Sequence, residues 1–261
     1  MGRRGRGGGI SKQEQIFGRN PVHEAIRAGR RQVYKLLIAE GVQERGSLAA
    51  AVQLAEERGI PIARVKRATL DHESNSHQGI AALVGPYPYS TLEDILGLAE
   101  ERREPPLVLL LDIIQNPQNL GTLLRTAEAV GVHGAVIPER RGVEVTNAVV
   151  NASAGASEHL QIAVANIARA ILFLKGHGLW IVGLEASADA RSPDELDLTG
   201  PIGLVVGNEG QGMRRLVRES CDFRLRLPQR GKIDSLNAAV AGSVALYAVW
   251  RARGYADALT G

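Results

Sequence analysis

Residues 107–131 read LVLLLDIIQNPQNLGTLLRTAEAVG. The first six are apolar up to one aspartate, which suits a strand buried on both faces of a parallel sheet. A turn rich in Asn, Pro and Gly follows. After it comes a helical pattern over 119–130 with a single arginine, Arg125, set inside it. Strand, turn and helix in direct succession form the repeating unit of an α/β layer. The same alternation recurs downstream. Apolar runs at 134–137, 179–184, 202–207 and 223–227 alternate with helical patterns near 144–152, 166–176, 211–219 and 235–253. Residues 105–261 are therefore predicted to form one α/β domain around a mostly parallel sheet, covered on both sides.

Upstream lies a smaller α/β pattern over 14–85. Helices are predicted at 20–28 and 46–58, the second with Ser47 near its start and Gly59 past its end. Short strands are predicted at 33–39, 60–64 and 80–84. The stretch GPYPYSTLEDILGLAEERREPP, 85–106, has four prolines and a charge run. It reads as a linker over 86–104 with a helix at 91–101 inside it. Residues 1–13 read as a flexible Arg/Gly tail, a solubilising end or a loose contact for an RNA backbone.

The composition bounds the function class. The chain has 261 residues, 44% hydrophobic and only 4% aromatic, so Ala, Val, Leu and Gly must fill its cores. No apolar run approaches the roughly 20 residues that span a bilayer, and the basic N-terminus has no apolar signal core. The one cysteine, Cys221, allows no disulfide within the chain and fits a reducing, cytoplasmic setting. The net charge of +3 leans mildly toward polyanions. The lean is uneven: residues 1–85 hold 14 Lys and Arg against 8 Asp and Glu, and residues 86–261 hold 17 against 20.

In parallel sheets, ligands bind beyond the C-terminal ends of the strands. There the chain places Asn116, Asn119, Gly121 and Arg125, then Glu185, then NEGQGM at 208–213, and finally PQRGKIDSLN at 228–237. Each has a purely structural reading as well. The glycines suit turns, Glu209 suits a cap for the next helix, and Asp234 or Ser235 suits the N-cap of the last one. Arg125 could pair with Glu128 along the helix surface. The dinucleotide G-x-G-x-x-G, the P-loop, H-E-x-x-H and G-x-S-x-G are absent. The six histidines have no metal-ligand spacing, so no metal is expected. His77, in HQGIAAL, reads as structural or RNA-facing.

Three motifs in order carry a specific resemblance: Asn116-Pro-Gln-Asn119-Leu-Gly121 through Arg125-Thr-Ala, Gly207-Asn-Glu209-Gly-Gln-Gly212-Met, and Leu227-Pro-Gln-Arg-Gly231 through Ser235-Leu-Asn237. Together they resemble the SpoU (TrmH) family of RNA ribose 2′-O-methyltransferases, in the SPOUT superfamily. FGRNPVHEAI and HQGIAALV resemble the small substrate-binding domain of its RlmB-like members. Gln229 and Ala239 depart from the usual Met and Ser.

The resemblance implies a deep trefoil knot in the C-terminal domain, which periodicity does not reveal. It also implies a homodimer, S-adenosylmethionine as methyl donor, and RNA rather than DNA or a membrane as partner. The substrate it points to is a guanosine of 23S rRNA, with tRNA as the alternative. A non-catalytic, RNA-binding ribosome-assembly factor is the rival from another class. Donor binding is implied for Leu184, Gly207, Leu227 and Leu236. Catalytic roles are implied for Arg125, Asn119, Glu209, Ser235 and Asn237. Arg125 is a poor base, so it is expected to bind a phosphate and either polarise the 2′-hydroxyl or let that phosphate relay its proton, with Asn119 orienting it or the nucleotide.

Overall fold

The computed structural model describes residues 13–140, 142–232 and 235–258. Tail residues 1–12 and the candidate cap Asp234 lie outside the described residues. The chain divides into two compact units, 1–88 and 89–261.

The first unit runs β1 (Glu14–Phe17), α1 (Arg19–Ala28), β2 (Val33–Ala39), α2 (Ser47–Glu57), β3 (Ile62–Val65), α3 (Arg67–Glu73) and β4 (Ile80–Val84). Its four strands lie in the order β1-β4-β2-β3. β4 is antiparallel to both its neighbours, and β2 is parallel to β3. Helix α1 buries Val22, Ala25 and Ile26, and α2 buries Leu48, Ala51 and Ala55. Those spacings put one apolar stripe on each helix. Phe17, Ala39, Leu70 and Ala81 form a small core cluster. Two elements, β1 and α3, have no counterpart in the sequence pattern. β1 has only four residues, too few for alternation to register, and only Leu70 of α3 is buried.

The second unit opens with α4 (Leu92–Arg102), the helix expected at 91–101 inside the stretch 86–104. Thr91 and Asp94 cap this helix reciprocally, at 3.1 and 2.8 Å. Ile95 joins the hydrophobic core of the unit, and Ala99 is fully buried too. The prolines mark only the turns on either side of it. Next come β5 (Leu107–Leu111), α5 (Pro117–Ala129), β6 (Gly134–Pro138), α6 (Asn147–Ala152), β7 (Gln161–Ala165), α7 (Ile167–Gly176), β8 (Trp180–Leu184), β9 (Ile202–Val206), α8 (Arg215–Glu219), β10 (Phe223–Leu225) and α9 (Ala238–Ala252).

The six strands form one parallel sheet in the order β10-β8-β9-β5-β6-β7. β5 and β9 are buried along their whole length, which is why their sequences are unbroken apolar runs. Strand β7, QIAVA, was not expected from the sequence. It exposes Val164 and passes within two residues into α7, so its signal merges with that of the helix. From β5 the chain moves outward through β6 and β7, then crosses to the other side to build β8, β9 and β10. The switch point lies between β5 and β9, and crevices at such points are where ligands bind. Among the described residues, no helix is long and apolar enough to cross a membrane.

Candidate active site

Beyond the C-terminal ends of β8, β9 and β10 lies a cavity of about 180 Å³. All four residues expected at the donor site line it: Leu184, Gly207, Leu227 and Leu236. Val206, Leu225 and Ala241 complete an apolar wall, and Glu185, Glu209, Gln229 and Ser235 supply polar groups. Two carboxylates and no Lys, Arg or His line the cavity among the described residues. Glu185 is held by Arg218 Nε at 2.9 Å, with Arg224 Nε at 3.6 Å.

The loop after β9 closes on itself. Asn208 and Gly212 exchange both backbone hydrogen bonds, at 3.0 and 2.9 Å, and Asn208 Oδ1 accepts from Gly210 N at 2.8 Å. Gly212 sits at φ 65°, a conformation that favours glycine. Gly207 has a different reason to be glycine. A Cβ there would stand 2.4 Å from Gly212 C and 2.5 Å from Met213 N. The glycine is needed for the loop to fold back, whatever the backbone's approach to a ligand.

The loop is pinned to the end of β5. Asn208 Nδ2 donates to Ile113 O at 3.1 Å. Arg214 donates its backbone N–H to Asp112 Oδ2 and its Nε to Oδ1, both at 2.7 Å. Asp112 is fully buried, and its charge is matched by this one guanidinium and an amide. Ile113, next to it, has φ 61°, an uncommon conformation for a β-branched residue. Neither Asp112 nor Arg214 was singled out from sequence; the aspartate that ends LVLLLD was the only available signal.

Three of the expected catalytic residues meet at the cavity's rim. Asn119 Nδ2 donates to Glu209 Oε1 at 2.9 Å, and Asn237 Nδ2 donates to Asn119 Oδ1 at 3.2 Å and also to Glu209 Oε1. Asn237, rather than Ser235, is the N-cap of α9, its Oδ1 accepting from Ala239 N and Val240 N. The helix therefore begins at Ala238, three residues later than its pattern suggested. Glu209 caps no helix; α8 has no side-chain cap. Asn116 caps α5, with Pro117 at its first position.

Arg125 stands apart from this cluster. It lies six positions beyond Asn119 on α5, about 9 Å along the axis and about 120° around it. It is exposed and does not line the cavity. Among the described residues it has no hydrogen-bond or ion-pair partner, so neither the Glu128 pair nor an Asn119 contact forms. Gly121, one turn before it, lets α5 approach α6: a Cβ there would lie 2.4 Å from Ala152 Cβ. No cluster of three or more His, Cys, Asp or Glu suited to a metal occurs among the described residues.

An open parallel sheet with a carboxylate-rimmed cavity beyond the C-terminal ends of β8, β9 and β10 has the architecture of a ligand-binding α/β domain, here preceded by a second α/β unit. Comparison with known proteins narrows this class. Residues 106–247 match the SpoU rRNA Methylase family, and residues 15–90 match the domain described as RNA 2′-O ribose methyltransferase substrate binding. A Bacillus subtilis relative, YacO, named for the TrmH family of tRNA/rRNA methyltransferases, is 44% identical over 246 residues, covering 93% of this chain and 97% of its own. A Staphylococcus saprophyticus relative of the same description is 42% identical over 244 residues, covering 92% and 96%. The crystal structure of the SpoU methyltransferase AviRb from Streptomyces viridochromogenes in complex with AdoMet superposes with a TM-score of 0.76 at 24% identity, over 93% of this chain and 91% of that one. The chain belongs to the SpoU (TrmH) family of RNA methyltransferases.

Proposed function

We propose that the protein transfers a methyl group from S-adenosylmethionine to a ribose 2′-hydroxyl of RNA, at a guanosine of 23S rRNA. The observation that carries this reading is the Asn119–Glu209–Asn237 cluster at the rim of the cavity. It joins the first turn of α5 to the segments that follow β9 and β10. The residues present fit the donor. Leu184, Leu227 and Leu236 offer apolar surface for an adenine ring, and Glu209 offers negative charge to a cation, whereas Glu185 is already paired with Arg218.

The bound donor supplies a methyl on a positively charged sulfur, already electrophilic. The chain's part is to place the 2′-hydroxyl in line with it and to help its proton leave. Glu209 Oε1 is held by the two asparagine amides, so the carboxylate's position is set before substrate arrives. Its Oε2 then accepts a hydrogen bond from substrate. Ser235, exposed at the rim, orients the ribose. Arg125, exposed and unpaired among the described residues, binds a backbone phosphate beside the target nucleotide. Its distance from the cavity favours this role over direct contact with the hydroxyl.

The same reading includes a trefoil knot. It is supported by α9, which returns from the sheet's edge to pack on α5 and β9. There a Cβ on Gly242 would meet Leu123 Cδ2 at 2.5 Å and Val206 Cγ2 at 3.1 Å, and Thr126 Oγ1 lies 2.8 Å from Ser243 Oγ. It also includes a homodimer, supported by the exposed stripe Val240, Val244 and Tyr247 on α9, and action in the cytoplasm. The alternative substrate is tRNA, since the relatives are named for tRNA and rRNA methylation alike.

The test is a methyl-transfer assay with labelled S-adenosylmethionine and, separately, unmodified 23S rRNA and tRNA, the product mapped by mass spectrometry. One 2′-O-methyl ribose in 23S rRNA, lost in Arg125→Ala, is the expected result. A tRNA product overturns the substrate. Donor binding without transfer to either RNA favours the assembly-factor reading.

A further inference from the structure

The first unit holds a polar cleft that the methyl-transfer chemistry does not use. At one end of its strands, the chain leaving β1, β2 and β3 meets the chain entering β4, because Ala39 pairs with Val65, Ile38 with Ile80 and Phe17 with Ala81. These four connections border an open cleft of about 400 Å³ lined by Arg19, Val42, Arg67 and Gln78. Two of its four lining residues are guanidinium-bearing.

The cleft's floor is built rather than incidental. The turn His77-Gln78-Gly79 has Gln78 at φ 50° and Gly79 at φ 86°. A non-glycine residue held there implies strain that the surroundings maintain, and such strain gathers at functional sites. Three contacts maintain it. His77 is buried, its Nδ1 accepting from Gly79 N at 2.9 Å and its Nε2 donating to Asp71 Oδ1 at 2.8 Å. A Cβ on Gly79 would stand 2.7 Å from Val42 Cγ2, so the Val42 loop rests on the turn. Arg19 completes the brace, with its backbone N–H to Gln78 Oε1 at 3.2 Å and its Nε to Gln78 O at 3.1 Å.

The brace sets which donors remain for a ligand. Gln78 Oε1 accepts a backbone N–H, so its Nε2 must be the outward atom, a donor. Arg19 spends Nε on the turn and keeps both Nη groups. Arg67 has one loose contact, Nε to Asp71 Oδ1 at 3.8 Å, between exposed side chains, and Asp71 is already committed to His77. On the connection that carries Val42, Glu44 is paired with Arg64 at 2.6 Å. The cleft therefore presents the two Nη groups of Arg19, the Arg67 guanidinium and the Gln78 amide, with Asp71 Oδ1 at 3.8 Å from Arg67 Nε as the acidic group beside them.

We propose that this cleft seats a phosphodiester of the RNA, with Arg19 and Arg67 as its two walls and the Gln78 amide as a third donor. Planar guanidinium groups suit phosphate because they donate two hydrogen bonds in parallel. The proposal rests on the reading of the chain as an RNA methyltransferase, and it gives His77 the task of holding Gln78 in place.

The test uses the full-length protein and in vitro transcribed 23S rRNA. Arg67→Ala is the main variant, because its side chain is exposed and braces nothing. Arg19→Ala is the second. Arg27→Ala is the control: it loses the same charge eight positions along α1 from Arg19, about 12 Å away along the helix axis. Filter binding across 50–200 mM salt gives the RNA Kd and its salt slope. Steady-state kinetics separate KM for RNA from kcat, and calorimetry gives the Kd for S-adenosylmethionine. Arg67→Ala is expected to raise the RNA KM roughly tenfold and to flatten the salt slope by about 0.7–1, the value of one phosphate contact. Its kcat and donor Kd should stay within about twofold of wild type, and Arg27→Ala should match wild type. Wild-type Kd and salt slope in both Arg67→Ala and Arg19→Ala, with methylation intact, would overturn the cleft and leave the enzymatic reading standing. Salt-dependent RNA binding lost in both variants, in a protein that methylates no RNA, would keep the cleft and overturn the enzymatic reading.

Discussion

Gly207→Ala should cripple donor binding while leaving RNA binding intact. The backbone at 207 is not in the left-handed region, so the effect is steric alone. The added Cβ would stand 2.4 Å from Gly212 C, 2.5 Å from Met213 N and 2.7 Å from Gly212 O. All three are backbone atoms, so no side-chain rotation relieves the contact. The loop must move outward by about 1 Å to reach an ordinary separation, and Glu209 moves with it. Overpacking of this kind costs about 1–3 kcal/mol. If the whole cost falls on the donor-bound state, the Kd for S-adenosylmethionine rises roughly 5- to 150-fold, at about 1.4 kcal/mol per tenfold. If it falls on the free protein instead, Tm drops by about 2–4 °C per kcal/mol. Calorimetric titration and a thermal scan separate the two. A Kd within twofold of wild type together with an unchanged Tm would refute the argument, because the loop would then not be closed against Gly207.

Two further outcomes follow from buried charge. Asp112→Asn leaves Arg214 facing a neutral amide at the base of the same loop. With Arg214 partly exposed, the loss should be about 2–3 kcal/mol, below the usual figure for a fully buried pair; urea unfolding that matches wild type would count against the pin. His133 is fully buried, its Nδ1 accepting from Leu107 N at 3.0 Å and its Nε2 3.0 Å from Glu104 Oε2. Burial holds its pKa below the usual value, although Glu104 pulls the other way. The folded state thus favours the neutral ring. The stability this provides is present above the unfolded pKa of about 6.5 and is lost as pH falls below it, by at most about 1.4 kcal/mol per pH unit. His133→Asn should therefore flatten the fall in unfolding free energy between pH 7 and pH 5.5, and an identical slope in the variant would exclude His133 as its source.

The local pattern of the chain was enough to place most of the elements around the site. Strands buried on both faces, such as β5 and β9, must be apolar throughout, so LVLLL and IGLVV announce themselves. Polar, glycine-rich loops beyond apolar strands likewise pointed to the cavity, and Leu184, Gly207, Leu227 and Leu236 all line it. What local pattern leaves open is which loops meet. Asn119 reaches Glu209 across 90 residues, and Arg214 reaches Asp112 across 102. Those contacts exist only because β9 is laid beside β5, a strand order that no local periodicity encodes. The start of α9 is likewise set by a distant segment. Ser235 and Asn237 are both competent caps by residue type, and the choice of Asn237 is coupled to its hydrogen bond with Asn119, 118 residues away. Arg125 shows the converse. Its motif placed it with the catalytic residues, but six positions of helix turn it away from Asn119. Residue type and periodicity determined what each segment is able to do, and only the packing of distant segments decided which of them act together.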